Sequence, residues 1–137
     1  MMKELKTLAE RHGATTRPAT MDGVHALEGR LGFALSPEYT DFLTTFGVIV
    51  HGAFETYGLG VPDDYYLNVG TSYADLSSDP TYPRTALPLL DMGDGHYYLY
   101  DNATRKIVLW ATPNGGIVRE LDEGLEAFLG REIFRRV

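Results

Sequence analysis

Apolar residues recur at helical spacing in several places along this chain, and at two-residue spacing in a run past its middle. Leu5 and Leu8, supported by Ala9, predict a helix over residues 3–12 that Gly13 ends. The stretch "ATTRPAT" that follows reads as a polar connector. Thr20 can cap the next helix, with Asp22 well placed in its first turn. Val24, Leu27 and Leu31 line one face of that helix, and Gly32 closes it. The strongest helical signal is "LSPEYTDFLTTFG". Ser36 is an N-cap, Pro37 fits the first position, and Glu38 complements the dipole. Tyr39, Phe42, Leu43 and Phe46 then form an apolar stripe, and Gly47 stops it.

The texture changes at Val48. "VIVHGAFETYGLGVP" is β-branched, aromatic and broken by glycine, which predicts one or two strands. Between residues 61 and 85 the pattern fits either a short helix around 70–78 or a long loop. "TALPLLDM", "HYYLYD", "KIVLW" and "GIVREL" then alternate at strand spacing and are joined by tight turns, as an antiparallel meander requires. From about Asp122 a last helix is expected, with Leu125, Phe128, Leu129 and Ile133 on its buried face and Arg135 and Arg136 near its end. Helices thus precede and follow an antiparallel sheet, an α+β arrangement in one domain spanning residues 1–137.

Composition adds limits. With 44% apolar and 23% charged residues in 137, the chain can bury an ordinary core. Cysteine is absent, which excludes disulfides and thiolate chemistry and favours a cytoplasmic setting. Glu4, Lys6 and Glu10 interrupt the first segment, so it does not read as a signal peptide, and no window has the length of a membrane span. The net charge is −7, unevenly spread: residues 20–104 carry two basic side chains, Arg30 and Arg84, against twelve acidic ones. That middle disfavours nucleic acid, which calls for basic surface, and suits a basic partner.

Candidate chemistry is sparse. The four histidines, at 12, 25, 51 and 96, form no ligand spacing, and no nucleophile elbow occurs. "LLDMGDGHYYLYDN" resembles a ligand loop at first sight. Counted as a calcium loop from Asp91, however, its twelfth position is Asn102, and it lacks alternating carboxylates. A phosphate loop would lead into a helix, whereas "HYYLY" is a strand. The stretch therefore reads as a strand–turn–strand, with Gly93 and Gly95 at positive φ around Asp94, whose carboxylate bonds nearby amides. No catalytic residue, cofactor or metal is expected. Adjacent acids such as Asp63 and Asp64 would point apart in an extended segment.

Tyrosine is the surplus: nine in all. Tyr97, Tyr98 and Tyr100 share one strand and cannot all face one core. Tyrosine interspersed with aspartate suits a protein interface, because the ring adds contact area while the hydroxyl stays wet. The expected contact set is Asp63, Asp64, Tyr65, Tyr66, Tyr73, Asp75 and Asp79, with Asp94 as an outlying member.

The stretch "VHALEGRLGFALSPEYTDFLTTFG" resembles the signature of the SUKH superfamily, which includes fungal cell-wall-synthesis regulators and bacterial immunity proteins. The matching residues are Leu31-Gly32, Phe33, Leu35, Ser36-Pro37, Tyr39 and Phe42-Leu43. "YGLG" at 57–60, "LPLL" at 87–90, "GDG" at 93–95 and "YLYD" at 98–101 follow in the same order, so the likeness spans about residues 20–130. Many relatives carry Asn-Gly-Gly after the central helix, where this chain has Phe46-Gly47-Val48. The resemblance implies an α+β fold without catalysis and a role as an immunity protein that neutralises a cognate toxin, often a basic nuclease. A regulatory scaffold for an endogenous partner is the alternative it leaves open. A third reading, an enzyme or ligand-binding protein, would require a deep pocket converging on His51 or His96.

Overall fold

The computed structural model describes residues 2–134; the expected role of Arg135 and Arg136 at the last helix falls outside them. Helix α1 (Lys3–Arg11) leads into a two-residue strand β1 (Thr15–Thr16), then helices α2 (Met21–Leu31) and α3 (Pro37–Thr45). Strands β2 (Ile49–His51) and β3 (Phe54–Glu55) precede helix α4 (Val69–Leu76). The meander follows: β4 (Ala86–Gly93), β5 (His96–Asp101), β6 (Ile107–Ala111) and β7 (Gly116–Leu121). Helix α5 (Leu125–Leu129) then widens into a π-helical turn over Gly130–Phe134. Helices and two antiparallel sheets thus share one α+β chain, as the sequence pattern predicts.

The expected caps are in use. Gly23 N donates to Thr20 Oγ1 at 3.1 Å, and Tyr39 N donates to Ser36 Oγ at 3.1 Å. Ser36 Oγ also bonds the Tyr100 hydroxyl at 2.7 Å, so one buried side chain caps α3 and ties it to β5. Helix α4 settles the ambiguous segment: Asn68 caps it, its Oδ1 accepting from Thr71 N at 3.1 Å. The last helix starts later than expected, at Leu125, with Gly124 at its N-cap and no side-chain cap.

Two sheets form where one was expected. The larger has the order β4-β5-β6-β7, all antiparallel. The smaller has the order β1-β2-β3, with Thr15 opposite Val50 and Val50 opposite Glu55. Its first strand comes from the segment that reads as a polar connector. Thr15 and Thr16 favour extended backbone, and their pairing partner lies far along the chain, where local pattern does not reach.

Strand β5 is covered on both faces, which accounts for its tyrosines. Tyr100 stacks on Tyr39 of α3 at 5.5 Å, and Tyr98 meets Phe128 of α5 edge-on at 4.8 Å. On the opposite face Leu99 and Tyr97 pack with Val108 and Trp110, and Tyr82 closes over Trp110 at 5.0 Å. The loop after α4 therefore serves as the sheet's second cover. Alternation along a strand normally separates wet from dry; here it separates two dry surfaces.

Three glycines let the chain cross itself between the sheets. A Cβ on Gly47 would lie 1.7 Å from the Arg17 carbonyl oxygen, one on Gly58 1.6 Å from that of Gly47, and one on Gly60 1.8 Å from that of Arg17. Backbone bonds close the crossing: Arg17 N to Phe46 O at 2.7 Å and Leu59 N to Gly47 O at 3.1 Å. The "YGLG" motif is there for want of side chains.

Candidate functional site

The segment between α3 and β4 carries most of the expected contact residues, and the fold divides them into three groups. Asp63 and Asp64 occupy a turn after Pro62 rather than an extended stretch. Asp63 faces Arg30 of α2 at 3.5 Å across a groove of about 370 Å³ and also accepts from Asn68 Nδ2 at 3.4 Å. Asp64, Tyr65 and Tyr66 project outward, the two rings 4.7 Å apart.

Tyr73 and Asp79 are tied inward. The Tyr73 ring packs edge-on against Tyr82 at 5.6 Å and Phe33 at 6.2 Å, and its hydroxyl donates to the Arg84 carbonyl. Asp79 accepts from Thr81 N and Thr81 Oγ1, both at 2.8 Å, from Thr112 Oγ1 at 2.6 Å, and from Asn114 N at 2.9 Å. Those donors, the Thr112 hydroxyl foremost, hold its pKa well below the ordinary aspartate value. It fastens the sheet's covering loop to the β6–β7 turn.

Asp94 stands at the tip of the β4–β5 hairpin, where Gly93 pairs with His96. Asp94 and Gly95 have φ of 53° and 75°, as a two-residue type I′ turn requires. The hairpin reading of Gly-Asp-Gly is correct, but the amide is held by another residue. Gly93 N donates to Asp91 Oδ1 at 2.9 Å, while Asp94 supplies only its carbonyl, 3.1 Å from His96 Nδ1.

The third group forms a distinct feature. A groove of about 320 Å³ runs between β3 and the far end of β4, lined by Ala53, Glu55, Tyr57, Tyr66, Leu67, Asp91 and Gly93. It bridges the two sheets where Tyr57 N donates to Leu89 O at 3.0 Å. The Tyr66 hydroxyl donates to the Glu55 carboxylate, which fixes one wall and raises the tyrosine pKa. Tyr57 is 8% exposed. Burial raises its pKa first, and the negative field of Asp91, then Asp75 and Glu55 adds to it. Tyr97, opposite Asp91 in the sheet, is raised by burial and by Asp91 and Asp75. Tyr57 thus lies in the field of three carboxylates from three elements, and Tyr97 in that of two of them.

Of the expected residues, Tyr66 lines the groove and Asp75 adds to the negative field at Tyr57 and Tyr97. Glu55, Tyr57, Asp91 and Tyr97 were not anticipated from sequence. Asp91 entered the sequence reading only as the first position of a calcium-loop count that failed, and Tyr57 only as part of the "YGLG" motif. Among the described residues no three His, Asp or Glu side chains are placed to hold a metal ion. His51 lies instead with His12 and Phe134, ring centroids 5.2–5.5 Å apart. Neither His51 nor His96 lines the two grooves above. Among the described residues no helix is long and apolar enough to cross a membrane.

Helices packed on an antiparallel meander, with a smaller sheet set against its edge, place this chain in the α+β class. Residues 22–129 match the family model described as SMI1-KNR4 cell-wall, SUKH_6, and the chain belongs to that family. No curated protein matches it. The matched range runs from the start of α2 to the end of α5 and includes every residue of the β3–β4 groove.

Proposed function

We propose that this protein is a cytoplasmic immunity protein that binds and neutralises a cognate toxin carrying a basic surface. It does so without catalysis, by occluding that surface with acidic and aromatic contacts. The observation that supports this reading is the groove in which Glu55 and Asp91 stand beside Tyr57 and Tyr66, none of its lining residues being basic. Exposed Asp64 and Tyr65, next to Tyr66 in the chain, add acidic and aromatic surface. Charge of one sign steers an oppositely charged partner and raises its association rate, while tyrosines provide contact area at low entropic cost.

The test is co-expression with the toxin encoded beside this gene. Growth should be rescued, and the double variant Glu55→Lys/Asp91→Lys should lose the rescue while remaining folded. A wild-type protein that fails to rescue would sink the pairing. The family description, with its reference to the cell wall, favours a second reading: a regulatory scaffold for an endogenous protein. Affinity capture that recovers a housekeeping protein through this groove, and no toxin, would support that reading instead.

A further inference from the structure

We infer that Asn114 is a site of spontaneous deamidation, and that the hold of Asp79 on the β6–β7 turn sets how fast it occurs. This chemistry belongs to the chain itself and needs no partner.

The sequence contains three side-chain amides, Asn68, Asn102 and Asn114, and no glutamine. The fold treats them differently. Asn68 Oδ1 accepts from Thr71 N at 3.1 Å, and its Nδ2 donates to Val61 O at 3.4 Å. Asn102 Oδ1 accepts from Ser36 N at 2.7 Å, and its Nδ2 donates to Ala34 O at 2.8 Å. Asn114 is exposed and is held by its backbone N–H; among the described residues its side-chain amide has no hydrogen-bond partner.

The residue that follows each amide differs too. Val69 and Ala103 carry a Cβ that crowds the approach of their nitrogens to the asparagine side chain, whereas Gly115 has none. The turn itself demands that glycine. A Cβ on Gly115 would lie 2.7 Å from that of Ala111 and 2.9 Å from its carbonyl oxygen. Closing the hairpin thus imposes the reactive Asn-Gly pair.

The reaction balances with water alone. The Gly115 nitrogen loses its proton and bonds to Asn114 Cγ, the bond from Cγ to the side-chain nitrogen breaks, and ammonia leaves. Water then opens the resulting succinimide at either carbonyl, giving aspartate or isoaspartate. In the closed turn this attack is restrained, because Gly115 N donates to Ala111 O at 3.2 Å. Asp79 Oδ2 keeps the turn closed, accepting from Thr112 Oγ1 at 2.6 Å and Asn114 N at 2.9 Å, on either side of Pro113. The nitrogen reaches Cγ only when the turn opens locally. The product then undoes the same grip. It places a second carboxylate beside Asp79, where like charges repel. Isoaspartate also adds a methylene to the backbone next to the Ala111–Gly116 pair. Asp79 ties down the loop that bears Tyr82, so the cover over Trp110 loosens as well.

The experiment incubates the purified full chain in mildly alkaline buffer. It follows peptide masses, isoaspartate content and acrylamide quenching of Trp110. Asn114 alone should gain the mass of an amide turned to acid, with isoaspartate among its products. Asp79→Ala should speed the reaction several-fold, and Thr112→Val, a milder cut at the same grip, should move it in the same direction. Ser36→Ala, which weakens the fold away from this turn, should leave the rate at the wild-type value. Asn114→Asp should make Trp110 more open to acrylamide. Modification first at Asn68 or Asn102, an unmodified Asn114, or a product without isoaspartate would overturn the site. Rates unchanged in Asp79→Ala and Thr112→Val, or raised equally in Ser36→Ala, would overturn the role of Asp79. Unaltered quenching in Asn114→Asp would overturn the loosened cover.

Discussion

Replacing Gly58 with alanine should be among the most damaging single-methyl changes available to this chain. The new Cβ would sit 1.6 Å from the Gly47 carbonyl oxygen, where real contacts are essentially never under 3.0 Å. The obstacle is backbone, so no side-chain rotation relieves it. Gly58 cannot readily retreat either. Its N–H donates to Leu67 O and its carbonyl accepts from Val69 N, both at 2.8 Å, and Gly47 O is itself held by Leu59 N. Overpacking of this kind costs about 1–3 kcal/mol, and displacing the crossing strains one or two hydrogen bonds at about 1 kcal/mol each. A loss of about 3–4 kcal/mol follows, a large share of the roughly 5–15 kcal/mol typical of a whole domain. Gly29→Ala is the matched control. Gly29 is exposed in α2, and a Cβ there would have nothing within 4 Å. The same methyl should stabilise by about 0.5–1 kcal/mol through helix propensity. Urea unfolding followed by the fluorescence of Trp110, the sole tryptophan and fully buried, reads both. With a slope of about 2 kcal/mol per molar, Gly58→Ala should lower the midpoint by roughly 1.5–2 M. A drop worth less than about 1 kcal/mol would refute the crossing as described.

Other consequences can be checked with the same assay. Ser36→Ala removes the α3 cap and leaves the Tyr100 hydroxyl without its 2.7 Å partner, so about 2–3 kcal/mol should be lost, more than an exposed cap would cost. Asp79→Asn should destabilise the protein at neutral pH, since the native site offers four donors to a carboxylate. Because the folded-state pKa lies below the ordinary value of 3.8, that contribution is complete above about pH 4–5. It is lost as the pH falls, so the gap between wild type and variant should narrow in acid unfolding. Glu123→Gln breaks a bidentate contact to Arg131 at 2.6–3.2 Å, but Arg131 is half exposed, and the cost should stay below about 1 kcal/mol and shrink in high salt.

Much of the frame was legible because local chemistry decides it. Thr20 and Ser36 cap where a hydroxyl before an apolar stripe should cap, and the meander follows from alternation and tight turns. Asn68 was not anticipated, although it starts α4 by the same rule; the acidic, tyrosine-rich text around it hides the helix. Two strands of the small sheet, β2 and β3, fall where strands were expected, but its first was missed because Thr15–Thr16 acquires its meaning from Ile49 and Val50. The groove was hidden for a similar reason. Glu55 and Asp91 are far apart in the chain and meet only because two sheets abut. Composition pointed instead to the dense acidic run, where Tyr73 and Asp79 turned out to be committed to packing and turn geometry.

The double cover on β5 carries a consequence for how such a domain could change its partner over time. With Tyr98 and Tyr100 packed on one side and Tyr97 and Leu99 on the other, that strand presents little open surface for a newcomer to colonise. Recognition is pushed to the margins: the hairpin tips, the turn before α4 and the groove where the sheets abut. Substitutions there change what is recognised and leave the interior untouched. Specificity can therefore drift quickly while the frame, pinned by three glycines and a few buried hydroxyls, stays as it is.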